Sequence, residues 1–165
     1  SRSPTHELIR HRAGFGYSQL SQRYVDESVA EYVEPDCIAA HPELHQLWID
    51  AIGVTHQAYM KLTEKLLDTF KDEPDKTLRR KLARQAARSV LPNATETKIF
   101  VTANARALRH FIELRGNRHA ETEIRKLAVQ VLRIMQKEAP NLFADYQLAP
   151  LPDGTFEATT QHRKV

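Results

Sequence analysis

Apolar side chains recur at three- and four-residue steps along two long stretches of this chain. Leu44, Leu47, Trp48, Ala51, Tyr59, Leu62, Leu66 and Phe70 keep that step, which predicts a long helix with a buried stripe. Pro42 suits its first position, and the polar run 72–75 ends it. Asp75 stands where a cap begins a second helix, about 77–90, which stops before Pro92. On that helix Leu78, Leu82, Ala86 and Val90 form the arc expected to pack inward. A third helix runs from an Asn104 cap to Arg115 and closes at Gly116. Ile124, Leu127, Val131, Leu132 and Met135 share one face of a fourth, about 120–138, ended by Pro140.

Between these lie shorter elements. Residues 5–12 read as a short helix, followed by a loop to Tyr24. The β-branched and acidic alternation of 25–34 reads as a strand or extended segment. Pro35 and Pro42 bracket a turn carrying Cys37. The run KIFVTA at 98–103 reads as a strand, and so does 146–149, beyond which the tail is expected to fray. The fold class is therefore α+β, mainly helical with a small antiparallel sheet, in a single domain over 1–165.

Composition narrows the classes. Of 165 residues, 41% are hydrophobic, enough for one core, although the mean hydropathy of −0.53 is polar. No apolar run reaches the roughly 18–20 residues a membrane span needs, so no membrane partner is expected. A single cysteine, Cys37, rules out an intrachain disulfide and a cysteine-based zinc site. It sits among acids with no cation to lower its pKa, which argues against a nucleophile. A reducing, cytoplasmic setting is expected. The sequence opens Ser1-Arg2-Ser3 without Met or an apolar stretch, read as a processed or truncated start. There is no P-loop, no G-x-G-x-x-G after a strand and no nucleophile elbow.

Charge adds more. Lys and Arg number 24 against 21 Asp and Glu. The excess is small, but arginines crowd a few segments, which favours planar recognition of phosphates and carbonyls. Lys81, Arg84 and Arg88 share a helix face; they could hold a phosphate or simply form a solvated surface. Arg10-His11-Arg12 and Ser21-Gln22-Arg23-Tyr24 supply guanidinium, hydroxyl, carboxamide and phenol, a set that suits a nucleotide, or equally a salt-bridged surface. Asn104-Ala105-Arg106, with Arg109, His110 and Arg115 beyond, is either a third cationic group or an ordinary capped helix. His119 and Glu123 resemble half of a metal pair, but no third ligand is evident, so no metal is expected.

The order of these motifs resembles that of the flavin-dependent thymidylate synthases (ThyX). The likeness runs from Ser1-Arg2-Ser3-Pro4-Thr5-His6-Glu7-Leu8-Ile9-Arg10-His11-Arg12 through Tyr17-Ser18-Gln19-Leu20-Ser21-Gln22-Arg23-Tyr24. It continues at Leu78-Arg79-Arg80-Lys81, Ala83-Arg84-Gln85-Ala86-Ala87-Arg88 and Val90-Leu91-Pro92-Asn93. It ends with Asn104-Ala105-Arg106, Arg109-His110-Phe111-Ile112, Arg115 and His119-Ala120-Glu121 to Glu123-Ile124-Arg125. Together these cover most of 1–148, and 25–77 matches loosely. The resemblance implies a homotetramer with active sites shared between subunits. It implies FAD as cofactor, NADPH and methylenetetrahydrofolate as co-substrates, dUMP as substrate and dTMP as product, with no cysteine attacking the base.

Matching positions would place Arg10, His11, Arg12, Gln19, Asn104, Ala105, Arg106 and His110 on FAD. Glu7, Arg10, Gln19, Leu20, Ser21, Gln22, Arg23, Arg88 and Arg115 would bind dUMP. Arg115 would also be catalytic, stabilising charge on the uracil. Two departures stand out: eight residues, 13–20, separate Arg12 from Ser21 where the family has seven, and the family's amino-terminal segment is missing. Three readings follow. One is a thymidylate synthase, with activity attenuated by the altered motif. Another is a degenerate nucleotide- or flavin-binding relative. The third, a nucleic-acid-binding module using the Arg79–Arg88 helix, is disfavoured by the small charge excess and the lack of interleaved aromatics, so no nucleic acid is expected.

Overall fold

The computed structural model describes residues 1–163, which form two compact units. One comprises residues 1–3 and 19–99, the other residues 4–18 and those from 100 onward.

The first unit is built around helix α3 (Pro42–Thr69), preceded by the short α2 (Asp36–Ala39) and followed by α4 (Lys76–Ala87). Pro42 starts α3 as expected. Asp75 caps α4, its carboxylate accepting from the backbone N–H groups of Thr77 (2.8 Å) and Leu78 (3.3 Å). The two helices pack together, and Ala83 and Ala87 of α4 are fully buried. The expected inward arc through Leu78 and Ala86 is thus displaced by one position: Leu78 is exposed, and the small side chains at 83 and 87 allow close packing. The buried stripe of α3 also fails within this chain. Tyr59 alone is buried on the helix, while Leu44, Leu47 and Leu62 face outward.

Residues 25–34 are not a strand. Asp26 caps a 3₁₀ turn, Glu27–Val29, by accepting from the Ser28 N–H at 3.1 Å. The Asp side chain satisfies the backbone locally, and that outcompetes the β-branched alternation. Within this stretch Tyr32 forms an isolated antiparallel bridge to Thr95. The α4 helix likewise gives way at Arg88–Val90 to a 3₁₀ turn.

The second unit contains two two-stranded sheets and the remaining helices. Helix α1 covers Ser3–Leu8, earlier and shorter than expected. Strand β1 (Phe15–Gln19) occupies part of the expected loop and pairs with β2 (Ile99–Ala103). Leu20 N–H donates to Lys98 O at one end and Asn104 N–H to Gly14 O at the other, so the strands run antiparallel. Helix α5 (Ala105–Arg115) has the expected Asn104 and Gly116 caps. Helix α6 (Thr122–Glu138) packs on α5 around Phe111, Ile112, Ile124, Ala128 and Leu132. Pro140 opens a further turn, α7 (Pro140–Phe143).

The tail does not fray after its first strand. Strands β3 (Tyr146–Pro150) and β4 (Phe156–Thr160) form an antiparallel hairpin, with Tyr146 opposite Thr160 and Pro150 opposite Phe156. Asp153-Gly154 supplies the turn, with Gly154 at φ 77°. Arg125, 3% exposed, holds that turn. It donates to Arg118 O (2.7 Å), Thr155 Oγ1 (3.1 Å) and the Asp153 carboxylate. Among the described residues, no helix is long and apolar enough to cross a membrane.

Candidate functional site

The chain closes its eight-residue spacing with a local turn. Gly14 adopts φ 75°, a conformation that favours glycine, and Phe15 N–H donates weakly to Arg12 O at 3.4 Å. Strand β1 then begins at once. Tyr17 on β1 donates its hydroxyl proton to two carbonyls, Leu8 O (2.8 Å) and His11 O (2.6 Å). Residues 8–11 are thereby fastened to the strand.

Against this turn lies the start of α5. The Asn104 side chain accepts from the Ala107 N–H at 2.9 Å. A cavity of about 450 Å³ is lined by Ala13, Gly14, Asn104, Arg106, Ala107 and His110. A second, of about 290 Å³, shares Ala13 and His110 and adds Arg10, His11, Arg12, Phe15, Leu114 and Arg115. Most of the expected FAD residues, and Glu7 and Arg115 of the dUMP set, therefore come together in this unit.

His11 is buried at 6% exposure. Its ring packs against Phe111 (5.2 Å between centroids), His110 (5.6 Å) and Phe15 (5.8 Å). Burial, then the charges of Arg115 and His110, lower its pKa to about 4, so the imidazole is neutral at pH 7. Its Nε2 accepts from Arg115 Nε–H at 3.1 Å. Arg115 also donates to the Glu7 carboxylate and, at 3.4 Å, to Glu7 O.

The structure sorts the arginines by partner. Arg109 forms a bidentate pair with Asp145 (2.6 and 2.7 Å). Arg118 pairs with Glu157 at 2.6 Å, Arg125 with Asp153 and Arg84 with Asp26 at 2.8 Å. These guanidiniums serve the fold. Arg84 also donates to Tyr24 O at 3.1 Å, and Lys81 lies over the Tyr24 ring at 5.1 Å. The free cationic stripe of Lys81, Arg84 and Arg88 is thus not realised. Arg10, Arg12, Arg88 and Arg106 have no carboxylate partner among the described residues, and three of them line the two cavities.

That donor set fits a flavin dinucleotide. Unpaired guanidiniums suit its diphosphate, the Asn104 amide suits a polar edge, and the His11, Phe15 and His110 rings suit a flat heterocycle.

The other expected residues, Gln19, Leu20, Ser21, Gln22, Arg23 and Arg88, belong to the first unit. Gln19 Nε2 donates to Thr97 Oγ1 at 3.3 Å. Ser21 Oγ accepts weakly from Arg23 N–H at 3.4 Å, and the Arg23 side chain meets the neutral Gln85 and the Tyr24 ring. Gln22 is buried, with its side chain beside the Glu27 carboxylate. Leu20 lines a pocket of about 230 Å³ with Asp26, Glu27, Glu31 and Glu96. So many carboxylates suit a phosphate poorly. Sequence reasoning placed the extra residue of the motif in the Gly14 loop but gave Ala107 and Leu114 no role, because apolar positions carry no charge signal. His119 is exposed, and no group of metal-binding side chains occurs among the described residues.

The thymidylate synthase complementing protein family matches residues 1–141. Three mycobacterial relatives are each named flavin-dependent thymidylate synthase. That of Mycobacterium avium (strain 104) is 53% identical over 160 residues, 97% of this chain and 64% of the relative. That of Mycolicibacterium gilvum (strain PYR-GCK) is 54% identical over the same shares. In Mycobacteroides abscessus the identity is 55% over 94% of this chain and 62% of the relative. The chain thus spans somewhat under two thirds of the length of the curated relatives it matches.

Proposed function

Since the chain belongs to the thymidylate synthase complementing protein family, we propose that it acts in the flavin-dependent reductive methylation of dUMP to dTMP. Methylenetetrahydrofolate would be the carbon donor and NADPH the reductant. The observation that carries this reading is the unpaired set Arg10, Arg12 and Arg106 along two adjoining cavities beside a neutral, buried imidazole. Both units are read as parts of one such domain, working in a homotetramer.

Arg10, Arg12, Asn104, Ala105, Arg106 and His110 would hold FAD, with the guanidiniums on its diphosphate. When bound, the flavin supplies hydride transfer. Arg23 and Arg88 would bind the phosphate of dUMP, and Gln19, Ser21 and Gln22 its sugar and base edges. Arg115 would stand at the uracil carbonyl edge and favour the anionic base electrostatically. Glu7 keeps that guanidinium in place. Cys37, exposed on α2, takes no part.

The test is a titration of the purified chain with FAD and then dUMP. Retained flavin absorbance after desalting, a dUMP-dependent spectral change and deuterium transfer from labelled NADPH into dTMP are expected. A protein that retains neither flavin nor dUMP sinks the reading. Binding of both without turnover points to the degenerate relative.

A further inference from the structure

His11 is a buried, neutral imidazole in contact with a guanidinium. Packing holds its ring in place. Aromatic rings enclose it, and its backbone carbonyl is held by Tyr17. Its Nε2 meets Arg115, so the ring's lone pair is engaged within the protein while His11 still lines the smaller cavity. A guanidinium has five N–H groups. Three on Arg115 go to His11 Nε2, the Glu7 carboxylate and Glu7 O. The remainder are free for a ligand, and their direction is fixed once the plane of the group is fixed.

We propose that His11 is a positioning residue: by accepting the Arg115 Nε–H it sets, together with Glu7, the plane in which Arg115 meets its ligand. This rests on the reading of Arg115 as the uracil-facing group. The division of labour follows from chemistry. The Glu7 carboxylate is a strong acceptor but a swivelling one. The His11 ring is locked by packing, so its lone pair has one direction. For Nε2 to accept, the ring proton must sit on Nδ1. A loosened guanidinium would still attract an anion, but it would meet the base in fewer productive orientations, so the loss should fall on turnover more than on affinity.

The experiment uses the full chain with the substitutions H11Q, H11F and R115K. Gln offers an oxygen near the position of Nε2, whereas Phe keeps the packing and removes the acceptor. Nitrogen-15 spectra at pH 7 should show a slowly exchanging Arg115 Nε–H, identified by its loss in R115K. They should also show an unprotonated Nε2 on His11. H11F should abolish the slow exchange with the near-ultraviolet dichroism unchanged, and H11Q should restore part of it. Turnover in H11F should fall at least tenfold with the KM for dUMP changed less than threefold, and H11Q should recover part of that loss. A slowly exchanging Arg115 Nε–H and full turnover in H11F overturn the proposal, as does a protonated Nε2 in the unsubstituted protein. Should H11F fail to fold, the Nε2 protonation state and the H11Q turnover decide. If the unsubstituted chain binds no dUMP, the functional reading fails, and the nitrogen spectra alone judge the His11–Arg115 contact.

Discussion

The backbone of Gly14 comes so close to the Asn104 side chain that a Cβ at residue 14 would lie 2.5 Å from Asn104 Nδ2. It would also lie 2.9 Å from the Ala107 Cβ. Two penalties therefore meet at Gly14→Ala: a left-handed backbone, costing about 1–2 kcal/mol for a residue with a Cβ, and displacement of a helix cap. The variant should lose about 2 kcal/mol in urea unfolding and bind FAD more weakly. Unchanged stability would mean that the turn relaxes freely.

Arg12→Ala removes a guanidinium that no carboxylate uses, so its loss leaves no orphaned charge. The expected result is an unchanged melting curve for the free protein and at least tenfold weaker FAD retention, read from flavin absorbance after desalting. Arg106→Ala should behave alike. Arg109→Ala is the contrast, since Asp145 depends on it; that variant should lose stability.

Arg88 ends α4 with no carboxylate partner among the described residues. Arg88→Ala should weaken dUMP binding about tenfold or more with the far-ultraviolet dichroism intact. Equal affinity, measured by calorimetry, would remove it from the phosphate site.

Acid should unfold this protein partly through His11. Its folded pKa is lowered from 6.5 to about 4 by burial and by the charges of Arg115 and His110. The unfolded chain binds a proton first as pH falls. The stabilising contribution is thus fully present above about pH 6.5 and is lost as pH drops toward 4, with a slope approaching one proton. Denaturant titrations over that window should show the slope in the unsubstituted chain and a shallower one in H11F.

Arg125→Met deletes the clamp on the β3–β4 turn. Carbonyls of Arg118 and Ala120 and the Thr155 hydroxyl lose a charged donor. Asp153 is 47% exposed and can rehydrate, so the cost is about 2 kcal/mol. A thermal shift measures it.

Helix ends were the most readable feature of the sequence. Asp75 and Asn104 cap where their chemistry predicts, because a cap depends on neighbours in sequence; Gly116 ends α5 as expected but without a left-handed backbone, its lack of a Cβ making room for Ile112 O and the Ala158 side chain. Packing depends on neighbours in space, and there the reading failed. The apolar step on α3 is real, but Leu44 and Leu47 find no cover within this chain. Strand β1 does alternate, Phe15 and Tyr17 against Gly16 and Ser18, but the run is too short for that pattern to stand out in the sequence; it is held by pairing with β2 and by the Tyr17 anchor. Strand β4 was overlooked although Asp153-Gly154 is a turn signal. For the site, Arg10, Arg12 and Arg106 were legible as cations. Which arginines the fold itself consumes was not, since Asp26, Asp145 and Glu157 each lie more than 35 residues from the arginine they bind.

The spare cations lining the cavities give the protein an ionic-strength signature. With no anion bound, like charges around the hollow repel, and added sodium chloride screens that repulsion, raising the melting temperature. With FAD in place the same ions shield an attraction, and added salt lowers it. One melting series, run with and without the dinucleotide, should therefore bend in opposite directions.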